Sequence, residues 1–300
     1  MPRIFAVIVA YEPDPTLFAR LLKVLNPQVT GGVIVNNGRV LPISQALIGA
    51  ARFDVIQQIS NTGVATALNL GYEWAEKKGA DFVVTFDQDS EPLPDMISSL
   101  VGTYHALLRE GQNVGAIGPQ QIDRRTGERC AFIAPISCRR LRINPPLGKA
   151  VEVDHLITSG CFVPMAVWKD VGKFLDPLFI DYVDIEWSLR LRHRGWRLFG
   201  SADAMLLHSI GNDVKKFGNK QLFWHDPLRH YYIFRNGIYI QKLPHIYLRW
   251  KVSDGLQLAK KFLIFTLAGL PRMSHMWAML NGMLDGYNGK LGPSQKSFLS

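Results

Sequence analysis

The first half of the chain alternates short, uninterrupted apolar runs with stretches whose apolar residues recur at helical spacing. Ile4–Ala10 (IFAVIVA) contains no polar position, the pattern of a parallel strand buried on both faces. Leu17, Leu21, Leu22 and Leu25 then recur as one face of a helix. Residues 32–35 form a second short apolar run and end in Asn36-Asn37-Gly38, a turn that leaves amide side chains at a strand terminus. Residues 53–56 read as a third strand. Asn61-Thr62-Gly63 opens a helix expected over 64–79, with Gly79 as its stop. The run Phe82 to Phe86 (FVVTF) is the next buried strand. Met96, Ile97, Leu100, Tyr104 and Leu107 give a helix over 94–110 one apolar face, and residues 114–118 form another short strand. This alternation predicts an α/β fold with a mostly parallel sheet and helices on both faces.

Beyond residue 118 the pattern weakens. Residues 119–153 lose periodicity and carry Arg124, Arg125, Arg129, Arg139, Arg140 and Arg142. They read as a solvated excursion, partly an antiparallel hairpin, with an acceptor-binding loop as the alternative. Order returns over 155–164, followed by a short helix over 166–171. A helix over 184–194 places Trp187, Leu191 and Arg194 on one face, with Gly195 as its stop. Residues 196–199 and 204–208 read as two short strands. Helices are expected over 227–243, 246–269 and 273–287. The apolar run FLIFTLAGL is only nine residues long, too short to cross a bilayer.

Charge divides the chain as sharply as periodicity does. The formal net charge is +9, yet residues 214–300 hold thirteen Lys and Arg against three Asp, while residues 1–213 are nearly neutral. A basic surface attracts phosphates, lipid headgroups or a pyrophosphate ligand. Basic residues flanking short apolar, aromatic runs suggest helices lying on a membrane surface, with an ordinary layer covering the sheet as the alternative. No helix-turn-helix, zinc-finger or RNA-binding motif is present, so nucleic acid is not an expected partner. The three cysteines, Cys130, Cys138 and Cys161, lack the spacing of a disulfide framework or zinc site and fit a reducing compartment. No secretory signal is legible in the first residues.

The candidate chemistry is acidic. Asp87-Gln88-Asp89 stands at the carboxyl end of a core strand, where open α/β sheets bind ligands. Paired carboxylates there suit a hard cation such as Mg²⁺ or Mn²⁺, and a strand-to-turn junction is the plain alternative. Asp181, Asp184 and Glu186 form a second acidic group at a helix start. Asp184 there could be a helix N-cap or a general base. His208, ending the apolar run MLLH, could complete a metal site with Asp89.

Taken in order, IFAVIVAYEPD, NTGVATALNLGYEWA, FDQDSEP, ITSGCFVP, FIDYVDIEWSLRLRHRGW, HSIG, YYIFRN and LDGYNGKLG resemble inverting family 2 glycosyltransferases of the GT-A fold, within them bacterial rhamnosyltransferases. The resemblance implies a GT-A domain over 1–215, with a donor half to about 118 and an acceptor half from about 119 to 215. Residues 216–300 would form a basic, aromatic helical region facing a membrane. It implies a nucleotide-sugar donor, dTDP-L-rhamnose, contacted by Tyr11, Glu12, Asn36, Asn61, Asp87, Gln88 and Arg235. Asp89 and His208 would hold Mg²⁺ or Mn²⁺ on the diphosphate, and Asp184 would be the catalytic base. Arg190 is a second candidate for the diphosphate or a salt bridger, and Trp187 either stacks on the acceptor sugar or belongs to the core. The acceptor would be a lipid-linked oligosaccharide of O-antigen type, met at the cytoplasmic face of the inner membrane. Two positions depart from the family pattern. Asn36 and Asn37 stand where a base-binding Asp is common, and Val183 precedes Asp184 where an acidic neighbour is usual. A UDP-hexose transferase of the same fold and a non-catalytic nucleotide- or glycan-binding protein are the alternatives.

Overall fold

The computed structural model describes residues 2–135, 141–208, 213–217, 220–224, 226–268 and 272–298. The opening apolar runs become β1 (Ile4–Ala10), β2 (Gly31–Asn36), β3 (Phe53–Gln57) and β4 (Phe82–Asp87). All pair in parallel in the order β3-β2-β1-β4. They are joined by α1 (Pro15–Leu25), α2 (Gln45–Ala50) and α3 (Gly63–Lys77). Asp14 starts α1 by accepting from the backbone N–H groups of Thr16 and Leu17, each at 2.9 Å, with Pro15 set at the first turn. Helix α3 lies directly on β1 because Gly71 has no side chain. A Cβ there would stand 2.2 Å from Val7 Cγ1.

After β5 (Glu91–Pro92) and α4 (Met96–Arg109), β6 (Val114–Asp123) runs five residues further than its apolar part predicts. Its extension holds Gln120 and Gln121, which are buried because they bond to the carbonyls of Cys130 and Ser159. The arginine-rich excursion contains a small antiparallel pair, β7 (Phe132–Ile133) and β8 (Arg142–Ile143), then β9 (Ala150–Glu152). Strand β10 (Phe162–Pro164) wedges antiparallel between β4 and β6. Helices α5 (Met165–Val171) and α6 (Val183–His193) flank a 3₁₀ turn at Asp176–Leu178. One strand, β11 (Arg197–His208), replaces the two expected short ones. A register shift between Ser201 and Met205 interrupts its pairing with β6 and its apolar pattern. β5 closes the far edge against β11, which is where a proline-bearing strand can sit.

The hairpin β12 (Asp213–Phe217) and β13 (Lys220–Trp224) precedes α7 (Pro227–Ile240), α8 (Leu248–Ala268) and α9 (Arg272–Asn288). One apolar cluster covers one face of the sheet through α1 and α4. The other runs from Val7, Val33 and Leu68 through Trp187 to Phe234, Trp250, Phe265 and Met279. The C-terminal helices therefore share a core with the nucleotide-type half. Among the described residues no helix is long and apolar enough to cross a membrane.

Candidate active site

The carboxyl ends of β1, β2 and β4 meet at one mouth of the sheet. Beyond β1, the Tyr11 backbone N–H donates to Gln88 Oε1 at 2.6 Å, which ties that loop to the turn after β4. Glu12 adopts φ 48° and accepts from the Arg39 N–H at 3.3 Å, bridging to the turn after β2. Asn36 and Asn37 spend both ends of their amides on protein groups. Asn36 donates to Gln57 Oε1 (2.8 Å) and accepts from the Gly38 N–H (3.1 Å). Asn37 donates to the Gly63 carbonyl (3.1 Å) and accepts from the Thr62 hydroxyl (3.0 Å). Asn61 is exposed and turns the chain into α3 by accepting from the Gly63 N–H at 2.9 Å. Gly63 itself needs φ 86° and the absence of a Cβ, because Phe179 packs against it. The Val64 N–H donates to the Phe179 carbonyl at 2.6 Å, which links the start of α3 to the loop ahead of α6.

Asp87 and Asp89 are each partly accessible at the end of β4. The turn that carries them rests on residues the sequence did not single out. Ser90 and Ser159 share a short hydroxyl–hydroxyl bond, Ser159 Oγ accepts from the Asp87 N–H at 3.5 Å, and the Thr85 hydroxyl donates to the Thr158 carbonyl at 2.5 Å. Glu91, next along, is buried between Arg20 (2.5 Å) and Arg124 (2.8 Å). Arg124 is thus an ion-pair partner rather than a solvated loop residue.

Asp184 shares a cavity wall with Thr85, two residues before Asp87 on β4. It lines a narrow cavity, with room for about one water, beside Thr85, Thr158, Cys161 and Tyr72. It is not the N-cap of α6, since Tyr182 occupies that position and makes no side-chain cap bond. Instead Asp184 Oδ1 accepts from the Ile185 N–H at 2.8 Å. Burial raises the Asp184 pKa above the usual carboxylate value. Nearby His155 and the Ile185 N–H oppose the rise, and Asp181 adds to it. The same enclosure, with the Asp184 charge, pushes the Cys161 thiol up to about 12. His155 is a residue that sequence reasoning missed; its only signal was its place in HLITSG.

The loop before Asp184 is strained. Among the described residues five non-glycine positions have positive φ, and three of them are Phe179 (67°), Asp181 (60°) and Tyr182 (64°). Helix α7 holds them. Asn236 Nδ2 donates to the carbonyls of Leu178 (2.9 Å), Ile180 (2.7 Å) and Asp181 (2.9 Å). The Tyr182 hydroxyl donates to Asp254 of α8 at 3.1 and 3.2 Å. Arg229 pairs with Asp181 at 3.3 Å.

Several expected site residues are placed elsewhere. Arg235 does not reach the donor edge: it is 1% exposed. Its guanidinium donates to the carbonyls of Leu178 (2.9 Å) and Gly292 (2.5 Å) and lies over the Tyr232 ring. Burial of a cation among carbonyls and rings explains both its placement and the lowering of its pKa. Arg190 is the salt bridger of the two readings, pairing with buried Glu186 one turn earlier at 2.9 Å. Trp187 belongs to the core, donating to the Gly172 carbonyl at 2.8 Å. His208 ends β11, and its side chain lies outside the described residues. Arg139 and Arg140 lie outside them as well.

The donor set at β4 fits a hard cation only in one way. Among the described residues no three His, Cys, Asp or Glu side chains converge as a metal cage. Asp87 and Asp89 offer carboxylate oxygens at an accessible edge, the arrangement in which one or two carboxylates share a cation with ligand phosphates.

Comparison with known proteins agrees with this geometry. Residues 6–142 match the Glycosyl transferase family 2 model. The chain is 28% identical over 292 residues to the dTDP-rhamnosyl transferase RfbF of Shigella flexneri, covering 96% of this chain and 97% of that one. Among solved structures it resembles TarS 1-349 of S. aureus in complex with UDP-GlcNAc, at 13% identity and TM-score 0.57, over 95% of this chain and 81% of that one. It also resembles GalNAc-T7 with UDP, GalNAc and Mn²⁺, at 14% identity and TM-score 0.56, over 91% of this chain. The chain spans only 58% of the length of GalNAc-T7, and at these identities the two structures speak for the fold alone. The fold and the sequence match together place the chain among the glycosyltransferases, with a glycosyl transferase family 2 domain over residues 6–142 on a GT-A-type fold.

Proposed function

We propose that the protein transfers L-rhamnose, with inversion, from dTDP-L-rhamnose to a hydroxyl of a lipid-linked oligosaccharide in cell-surface polysaccharide synthesis of O-antigen type. The observation that carries the reaction class is Asp184. It is an enclosed carboxylate with a raised pKa, set beside the end of β4 that bears Asp87 and Asp89. The choice of donor follows the end-to-end match to a dTDP-rhamnosyl transferase. Asp184 accepts the proton of the acceptor hydroxyl as its oxygen attacks the anomeric carbon from the face opposite the diphosphate. A pKa above the ordinary carboxylate value makes Asp184 a stronger base, while His155 favours its ionised form. Asp87 and Gln88 contact the donor, and Tyr11, Glu12, Asn36 and Asn61 shape the loops around it. Asp89, with His208, would hold Mg²⁺ or Mn²⁺, which supplies charge neutralisation to the departing diphosphate. The acceptor is met at the cytoplasmic face of the inner membrane.

A donor panel with lipid-linked acceptor extract tests the reading. Transfer from dTDP-L-rhamnose that Asp184→Asn abolishes, with donor binding retained, is the expected result. Full activity of Asp184→Asn would remove it as the base. The same panel decides the alternative, a UDP-hexose donor on the same fold.

A further inference from the structure

Helices α8 and α9 are apolar on both sides. Their inward faces join the core through Trp250, Leu258 and Phe265 on α8 and Met279 on α9. Their outward faces are apolar too. On α8, Leu248, Val252, Leu256, Leu263 and Leu267 are exposed, from 51% at Val252 to 75% at Leu248. They recur every four or seven residues and fall within an arc of about 100° on the side away from the core. On α9, Met273, Trp277, Leu280, Leu284 and Tyr287 repeat the pattern at alternating steps of four and three. Ten of the nineteen exposed large apolar side chains among the described residues lie on these two stripes. Apolar stripes on two opposite faces of a helix ask for an apolar environment on both sides, and the described residues supply only one.

Charge decides what supplies the other. Between residues 248 and 288 the chain carries Arg249, Lys251, Lys260, Lys261 and Arg272. Its only acidic side chains there, Asp254 and Asp285, are buried, the first accepting from the Tyr182 hydroxyl and the second from the Tyr231 hydroxyl and Lys296. The rim of the stripes thus carries basic side chains, and the two helices expose no acidic one of their own. A second copy of the chain would bring the same sign against itself. A negatively charged headgroup layer neutralises it, and Trp277 and Tyr287 are side chains of the kind that settle at a membrane–water boundary.

We propose that the outward faces of α8 and α9 form a docking surface for anionic phospholipid bilayers, with the two stripes entering the headgroup–acyl boundary. The proposal rests on the reading above that the acceptor is presented at a membrane, and it names the surface that meets that membrane. Both helices lie in the interface plane, consistent with neither being able to span.

The test is co-sedimentation of the full chain with phosphatidylglycerol–phosphatidylethanolamine vesicles and with neutral phosphatidylcholine vesicles, without donor or acceptor. Binding to the anionic vesicles, weakened by salt, is expected. The variants Leu256→Glu/Leu263→Glu and Trp277→Glu/Leu284→Glu should each lower it roughly tenfold or more while keeping the wild-type thermal melt, because the replaced side chains face outward. Equal binding to neutral vesicles, or binding indifferent to both variants, overturns the proposal. So does a solution dimer that the same variants dissociate in a protein that ignores vesicles. Rhamnosyl transfer to an acceptor extract, measured in parallel, separates the two readings. Transfer without vesicle binding sinks only the docking surface, and vesicle binding without transfer from any donor sinks only the proposed reaction.

Discussion

Replacing Asn236 by alanine should disable the enzyme from a distance. Its amide donates to three carbonyls of the loop ahead of Asp184, at 2.9, 2.7 and 2.9 Å. The amide has two N–H groups to share among these three carbonyls, so at about 1 kcal/mol net for each the restraint contributes about 2 kcal/mol. The loop they hold has Phe179, Asp181 and Tyr182 at positive φ. At roughly 1–2 kcal/mol for each such residue, the strain amounts to roughly 3–6 kcal/mol. The restraint offsets part of that strain, and without the amide the loop relaxes and carries the start of α6 with it. Urea unfolding should show Asn236→Ala less stable by about 2 kcal/mol. Initial rates should show kcat reduced on the order of 10²-fold, the effect of misplacing a catalytic group by about 1 Å. Donor KM should hold, because the donor loops follow β1, β2 and β4. Adding Asp181→Gly in the same chain should return about 1 kcal/mol, since glycine adopts the left-handed conformation freely and the exposed Arg229 partner contributes little. A stable, fully active Asn236→Ala would refute the reasoning, as would an Asp181→Gly that deepens the loss.

Three further perturbations check other parts of the site. Burial raises the Asp184 pKa in the folded state above its unfolded value, so ionising it costs stability as pH rises through that folded pKa. Asp184→Asn should therefore be at least as stable as wild type near neutrality, losing that advantage in acid where Asp184 is neutral, while transfer drops roughly 10²–10⁴-fold. The acid limb of the wild-type kcat/KM profile should lie above the usual carboxylate range, and a limb within that range would count against Asp184. Arg235→Met should cost roughly 1–3 kcal/mol by stranding the Gly292 carbonyl and leave donor KM unchanged, whereas a raised KM in a stable protein would return Arg235 to the diphosphate. Gly63→Ala should destabilise by about 3 kcal/mol, since φ 86° is strained for alanine and its Cβ would stand 2.6 Å from the Phe179 carbonyl oxygen. Thermal and urea unfolding measure it.

The parallel strands were legible because burial on both faces leaves a signature that needs no partner: β1 to β4 appear in the sequence nearly as they appear in the fold. The far half of β6 was not, because Gln120 and Gln121 are buried polar residues whose partners come from elsewhere in the chain. β11 read as two strands because Gly200 to Asp203 interrupts its apolar pattern at the register shift. β5 is two residues ending in proline, and only an edge tolerates it. Asp87, Asp89 and Asp184 stood out as candidates because they are carboxylates at the ends of a strand and a helix, and the N-cap alternative for Asp184 falls because Tyr182 holds that position. The opposite held for Arg235, where the letter gives a charge but not the side of the molecule it faces.

What the sequence hid most completely is the second use of the basic tail. Asn236 stands in the middle of an aromatic helix, its oxygen accepting from neighbouring Arg235 Nε at 2.9 Å, and the three carbonyls its nitrogen donates to lie more than fifty residues earlier in the chain. Asp254 is hidden in the same way: on α8 it looks like one acidic residue in a positive segment, yet it is buried against the Tyr182 hydroxyl, two residues before Asp184. Val252 and Leu256 flank it in sequence and are 51% and 64% exposed on the other side of the same helix. One turn of α8 therefore touches the loop that leads into Asp184 and, on the docking proposed above, the bilayer. Seating α8 on a membrane would fix the helix against which Tyr182 is held, so its docked face and the face that bears on the Asp184 loop could not move independently.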